Sequence, residues 1–306
     1  MQSSEEGKIH PGNVPDVPID DQLSGSAPPC YVVFLSPAGS TRLIADNIRA
    51  GLEAAGARPA IVDCAVSDAV ERAQQSLGRQ SSALLFIGSP VYADRALPPI
   101  LDFVEQIPER VQLFAVPFVT WGGVCSGLAL WQLGDRLVQR GAVLLGGMKI
   151  LAQHSMMWDD EAPLGCQHPD RDECELASRF ARDVFQHICN GNVRAISLDR
   201  LDEHPERRSE RMRARLDKPW QVSEKWVLPE NCTQCGECAA ACPVGVIELD
   251  PYPSFLEGCI NCYNCIRVCP HDALKSALDK RRLIQRLKER AVAIDEKPLS
   301  VVYKWK

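Results

Sequence analysis

The sequence predicts an open, doubly wound α/β sheet of parallel strands in the order 2-1-3-4-5, followed by a small α+β domain built around cysteines. Three observations predict it. Between residues 30 and 190, short apolar runs alternate with amphipathic stretches of helical length, the pattern of a parallel sheet covered on both faces. Eight of the 14 cysteines fall between Cys232 and Cys269 in two copies of one spacing. The 306 residues are 45% hydrophobic and 24% charged, enough for two packed domains, and no apolar run reaches the roughly 18–20 residues of a membrane span.

Residues 1–29 are acidic and proline-dotted, the reverse of a secretory signal. They read as a flexible N-terminal segment of a cytoplasmic chain, in which many thiols argue for metal ligation rather than disulfides. Tyr31–Leu35 is a buried strand and Thr41–Ala55 a helix that stops at Gly56. Pro59–Val62 and Ala83–Gly88 are the second and third strands, and Val111–Thr120 is the fourth. Leu128–Arg140 is a helix ending at Gly141, and Ala142–Leu145 begins the fifth strand. Asp172–Ile188 closes residues 30–190 with a helix whose Leu176, Phe180, Val184 and Ile188 recur every fourth position. Residues 191–225 then read as a charged linker, 226–280 as the cysteine domain, and 281–306 as a charged extension.

The two copies are Cys232-x2-Cys235-x2-Cys238-x3-Cys242-Pro243 and Cys259-x2-Cys262-x2-Cys265-x3-Cys269-Pro270. This run ligates 4Fe–4S clusters: three thiolates two residues apart converge on one cubane, and the fourth is turned toward the other. One cluster is then expected on Cys232, Cys235, Cys238 and Cys269, and a second on Cys259, Cys262, Cys265 and Cys242. Zinc is the alternative for paired C-x2-C units, but it needs neither a third cysteine nor a C-P in each half. Residues 226–280 resemble bacterial two-cluster ferredoxins. That resemblance implies a pseudo-twofold pair of hairpins and helices and one-electron transfer at low potential, with Val246–Leu249 and Ala273–Lys275 following the two prolines at matching places.

Charge divides along the same line. Residues 1–190 hold 14 Lys+Arg against 23 Asp+Glu, and residues 191–306 hold 20 against 17. An excess of +3 is far from a nucleic-acid groove, and it offsets the negative charge that two oxidised clusters would add. Arg207–Arg215 and Lys280–Arg282 read as solvated helix faces, with docking of an acidic partner as the alternative.

In doubly wound sheets, ligands bind beyond the carboxyl ends of the strands, where the order reverses. Three loops emerge there. The first carries Ser36, Gly39, Ser40 and Thr41, whose hydroxyls, glycine and helix-start N–H groups suit a phosphate; Ser40 alone would be a helix cap. The second carries Pro90, Val91 and Tyr92, and the third Thr120, Trp121, Gly122 and Gly123. Each of these two places one aromatic among small residues, as an isoalloxazine requires. Residues 30–190 resemble the flavodoxin-like flavoproteins, and the whole chain is similar to the flavodoxin–ferredoxin fusion family (EFR-type ferredoxins). Members show a P-V-Y-G-G-R-x-P segment, matched by Pro90–Pro98, and a later Y-G-N-R-x-Y, matched by Trp121-Gly122-Gly123. The resemblance implies FMN. The chain departs from the pattern at Pro37 and Ala38, which replace positions of a T/S-x-T-G-x-T phosphate loop, and at Gly123 and Val124, which replace Asn and Arg.

His154-Ser155-Met156 follows the fifth strand at a place where the fusion family often has His-Ser. His154 is the candidate catalytic residue, though its first reading is a packed, hydrogen-bonded histidine. Cys125 reads as a small residue before a helix, and Cys30, Cys64, Cys166, Cys174 and Cys189 as ordinary thiols, with a metal site of His168, Cys166 and Cys174 as the sharper alternative. Trp220 and Trp226 read as packing between the domains. There is no P-loop, no dinucleotide G-x-G-x-x-G and no nucleophile in a recognisable catalytic setting. The expected function is electron transfer between two 4Fe–4S clusters and FMN, with a low-potential donor and an acceptor reductase as protein partners and no nucleic acid. The alternatives are direct reduction of a small substrate at the flavin and a redox-responsive binding module.

Overall fold

The computed structural model describes residues 27–109, 111–216 and 218–305, so nearly all of the expected N-terminal segment lies outside the described residues. In chain order, the first part comprises β1 (Cys30–Phe34), α1 (Ser40–Ala54), β2 (Ala60–Asp63), α2 (Ser67–Leu77), β3 (Ser82–Pro90) and α3 (Pro98–Glu105). It continues with β4 (Gln112–Trp121), α4 (Ala129–Gln139), β5 (Val143–Leu144), β6 (Gly147–Leu151) and α5 (Arg171–Cys189). The second part comprises α6 (Glu206–Leu216), β7 (Lys225–Val227), α7 (Glu237–Ala240), β8 (Ile247–Leu249) and β9 (Pro253–Phe255). It ends with α8 (Asn264–Val268), β10 (Leu274–Ser276), α9 (Lys280–Ile294) and β11 (Val301–Tyr303).

The main sheet runs β2-β1-β3-β4-β6-β11, with β5 also paired to β4. All of its pairings are parallel except that of β11 with β6. Taken as strands 1 to 5, this is the flavodoxin-like order 2-1-3-4-5. Strand periodicity splits the core in two: Tyr31, Val33 and Leu35 face one apolar cluster, and Val32 and Phe34 face the other. The first cluster holds apolar residues of α2, α3 and α4, and the second those of α1 and α5.

The fifth strand continues past its expected start after an interruption. Gly146, at φ +158°, breaks it, because a Cβ there would lie 2.5 Å from the Phe180 ring and 2.7 Å from the Tyr303 carbonyl oxygen. Strand β6 then resumes pairing with β4 from Phe118 to Trp121. The sheet gains an edge strand from the far end of the chain, where Val301, Val302 and Tyr303 pair with Lys149, Met148 and Gly147. Residues expected as a charged extension therefore include a helix and a strand of this sheet. The segment expected as a linker likewise carries α6, whose Ser209 and Met212 are buried.

The cysteine domain has two antiparallel pairs, β7 with β10 and β8 with β9. Its helices α7 and α8 are single turns that begin just before Cys238 and Cys265, both buried. Among the described residues, no helix is long and apolar enough to cross a membrane.

Candidate redox site

Backbone conformation prepares the cysteine loops. Gln234 (φ 60°) and Gly236 (φ 79°) flank Cys235, and Asn261 (φ 56°) and Tyr263 (φ 59°) flank Cys262. Left-handed residues at these matched places turn successive N–H groups to one side, forming the nests that suit iron–sulfur centres. One small hole is lined by Cys232, Cys235, Cys238 and Cys269, and a second by Cys242, Cys259, Cys262 and Cys265. Each gathers three cysteines of one motif with the last cysteine of the other. Cys235 is exposed, so the first set is the outer quartet; the second is the inner. Burial pushes the thiols of Cys262 and Cys265 up to about 11 and about 12. Near neutral pH these thiols become thiolates when a cation binds, so the donor set fits an iron–sulfur centre.

A cleft of about 860 Å³ opens at the carboxyl ends of β1, β3 and β4, within the range of cofactor sites. Of the residues expected at a flavin, Ser40, Thr41, Pro90, Val91, Tyr92, Thr120, Trp121 and Gly122 line it. Ser36, Gly39 and Gly123 are not among the lining residues. Ser36 Oγ accepts the Arg42 N–H at 2.9 Å, and Gly39 takes the left-handed conformation that starts α1. Gly123 turns at φ +73° against Leu164 and Gly165. Gly39, the residue before α1, has no side chain to cap it. With the Arg42 N–H taken by Ser36, the N–H groups of Ser40 and Thr41 are left to a ligand. Thr41 and Thr120 share a buried hydroxyl–hydroxyl bond of 2.8 Å that joins the first loop to the third. Trp121 and Trp220 stand on the cleft wall, and their buried indole N–H groups have no hydrogen-bond partner among the described residues. These residues therefore fit FMN.

The second loop shows how the chain tolerates its departure from the glycine pair. Ala93 (φ 50°) and Asp94 (φ 67°) are both left-handed, and Tyr92 and Arg95 exchange backbone bonds of 3.0 and 3.1 Å across them, a type I′ turn. Glycine would hold this turn without strain, while each side chain costs on the order of 1 kcal/mol. The Leu128 N–H bonds the Asp94 carbonyl at 2.7 Å, and Arg290 holds its carboxylate at 2.5 Å.

His154 also lines the cleft. Its Nδ1 accepts the Met156 N–H at 3.3 Å, which leaves the ring proton on Nε2. Burial pushes its pKa down to about 4, so the ring is a neutral donor near pH 7. It packs on Gly122, where a Cβ would come within 2.7 Å of its Cδ2. The structure bears on three further readings. His168 pairs with Glu173 at 2.8 Å in the capping box of α5, and no cysteine joins them. Trp226 is 42% exposed and does not pack the two parts together. On α6, Arg213 and Arg208 are committed, to Asp202 and to the Ile294 carbonyl respectively, while Arg207 and Arg211 stay in solvent.

The far wall of the cleft is one that sequence reasoning missed. Trp220 stands there under the Arg95 guanidinium, 4.5 Å from its ring centroid. Ile260 and Tyr263 line both the cleft and the inner quartet's hole. Asn264 Nδ2 donates to the Pro37 carbonyl at 2.5 Å, tying the inner cysteine loop to the phosphate loop. Burial, then the neighbouring Cys262 thiol, pushes the Tyr92 hydroxyl above its ordinary pKa. Helix α9 lies across the mouth, with Leu283 and Leu287 on the cleft wall.

None of α9's residues is buried; Ile294 packs at the edge of an apolar cluster with Leu128 and Met212, and ion pairs tie down the rest. Lys280 pairs with Asp159, Lys288 with Asp160 at 2.7 Å, and Arg290 with Asp94. The Lys288 ammonium holds the Asp160 carboxyl below its usual range. Salt screens such pairs over about 10 Å at 0.1 M and about 3 Å at 1 M. Raising the salt to 1 M is therefore expected to speed amide exchange across residues 280–294 severalfold while leaving β4 unchanged. Exchange in α9 that ignores salt would mean that apolar contact holds the helix.

The family model of the 4Fe-4S dicluster domain matches residues 231–273. The cysteine-rich segment is a 4Fe–4S dicluster domain. Over 58 residues, the chain is 39% identical to a ferredoxin of Pyrobaculum islandicum, a match covering 18% of this chain and 54% of that ferredoxin. The chain thus spans about half the length of the curated relative. Solved structures similar to the first part include a flavodoxin from the domain Archaea, at 17% identity and TM-score 0.39, covering 52% of this chain and 98% of that one. Flavodoxin 2 from Bacillus cereus is similar at 20% identity and TM-score 0.37, covering 52% and 99%. The chain joins a flavodoxin-like sheet to a dicluster domain, the organisation of the fusion family it resembles.

Proposed function

We propose that this chain is an iron–sulfur flavoprotein that transfers low-potential electrons between two 4Fe–4S clusters and FMN and on to a redox partner. The wall shared by the cleft and the inner quartet, formed by Ile260 and Tyr263, carries this reading. It supports a direct path between the two sites within one chain, so that delivery need not wait for a diffusional encounter. Bound clusters move single electrons, and a bound flavin holds one or two.

The residues divide the work. The outer quartet, with Cys235 at the surface, is the face offered to a partner. Asn264 holds the phosphate loop in register with the inner cysteine loop. The neutral hydroxyls of Ser40 and Thr41 and the open start of α1 take a phosphate without a lysine or arginine, since Arg42 is committed to Asp63. Helix α9 and Trp220 close the cleft against solvent.

Anaerobic reconstitution tests the reading. About eight irons and one FMN per chain are expected, with a flavin spectrum that bleaches when the clusters are reduced. Protein that takes up iron but no flavin would reduce the first domain to a docking module.

A further inference from the structure

Lys225 opens β7, the strand that enters the dicluster domain, and its side chain reaches the inner quartet. Its Nζ lies 3.4 Å from Cys259 Sγ, 3.2 Å from Asn261 Oδ1 and 3.2 Å from the Ser223 carbonyl oxygen. It also stands 4.8 Å over the Tyr263 ring. All three ammonium protons thus have acceptors, and the charge is fixed against the sulfur rather than left to wander in water. Asn261 is itself held, with Nδ2 donating to the Gln221 carbonyl at 2.6 Å and Oδ1 accepting the Ser223 N–H at 3.1 Å. The outer quartet has no counterpart. Among the described residues, its hole is lined by Glu237 and His271 but by no lysine or arginine. The donor to one of its sulfurs is the neutral Ala273 N–H, 3.3 Å from Cys269 Sγ.

Reduction adds an electron to a centre that is already negative. Burial opposes this addition, so the drier inner site alone would be the harder of the two to reduce. A fixed cation and a hydrogen bond to sulfur act in the opposite direction. We propose that Lys225 inverts the order, making the inner cluster the first of the two to be reduced. An electron entering the domain would then settle beside the flavin cleft rather than at the surface. The proposal rests on the two-cluster reading above.

The test is a dithionite redox titration of the full-length, reconstituted protein, followed by electron paramagnetic resonance. Lys225→Met removes charge and donor, Lys225→Gln keeps a donor without charge, and Lys225→Arg keeps the charge. The inner cluster is identified by the resonance that Cys262→Ala removes. Its potential is expected to fall in the Met and Gln variants by about tenfold in its equilibrium constant, or 59 mV for one electron, which returns it to or below that of the outer cluster. The outer cluster's potential should hardly move, and Lys225→Arg should stay close to the parent. If Lys225→Met fails to assemble, the Gln and Arg variants give the same comparison. Two intact clusters with neither potential moved, with only the outer one moved, or with the inner cluster already the lower of the two in the parent protein, would overturn the role of Lys225 alone. Fewer than two clusters in the parent protein, by iron count, would overturn the two-cluster reading itself.

Discussion

Replacing Cys242 with alanine is expected to remove the inner cluster, although Cys242 closes the first cysteine motif. The reason is spatial: Cys242 lines the hole with Cys259, Cys262 and Cys265, while Cys269 lines the other with Cys232, Cys235 and Cys238. Iron should fall from about eight to about four per chain, and the surviving resonance should match that of Cys262→Ala. Cys269→Ala should instead match Cys235→Ala. Because the inner quartet shares a wall with the cleft, losing it should abolish reduction of the flavin through the domain. Losing the outer cluster should slow delivery from a protein donor and spare delivery from a small reductant. A Cys242→Ala protein whose spectrum matched Cys235→Ala would show that each motif closes on its own cluster, and the crossed arrangement would fall.

The crossed pairing is an expectation that the sequence alone supplies, from a spacing, a proline and the size of a cubane, and the two holes are lined in the same combination. The sheet order was legible, since β1, β3 and β4 are near-continuous apolar runs buried on both faces. What stayed hidden depends on contacts between distant residues. Strand β11 has three residues, too few to show any period, and it exists because Val301–Tyr303 meet the free edge of β6. Helix α9 reads as solvated because its attachment is ionic, through partners as remote as Asp94 and Asp159. Trp220 reads as a packing residue, and its place on the cleft wall follows only once Arg95 is seen above it. The eight flavin-loop residues that line the cleft were legible from their position after strands. Ser36, Gly39 and Gly123 belong to the same loops but do not line the cleft, and sequence does not show which residues of a loop do.

The other large effect is expected far from any cofactor, at Gly51 in the middle of α1. A Cβ there would lie 2.0 Å from the Ser178 carbonyl oxygen and 2.7 Å from its carbon, both backbone atoms of α5. No rotamer can relieve such an overlap, so Gly51→Ala must push the two helices apart. Alanine would normally favour a helix interior by about 1 kcal/mol over glycine. Overpacking typically costs about 1–3 kcal/mol, and occasionally more, and backbone-on-backbone overlap belongs at the upper end. A net loss of about 2 kcal/mol is expected, which lowers the Tm by about 4–8 °C for a domain of this size. The displacement reaches function because α1 starts at Ser40, inside the phosphate loop. FMN affinity should therefore fall with the Tm. Gly56→Ala is the control: its φ of +91° makes alanine strained, yet nothing lies within 4 Å of the added Cβ. That variant should lose stability through its backbone while keeping FMN affinity, as read by flavin fluorescence and thermal unfolding. If Gly51→Ala matched the parent in both readouts, α1 and α5 would not be in backbone contact, and the rigid support assigned to the phosphate loop would have to come from the Asn264 bond alone.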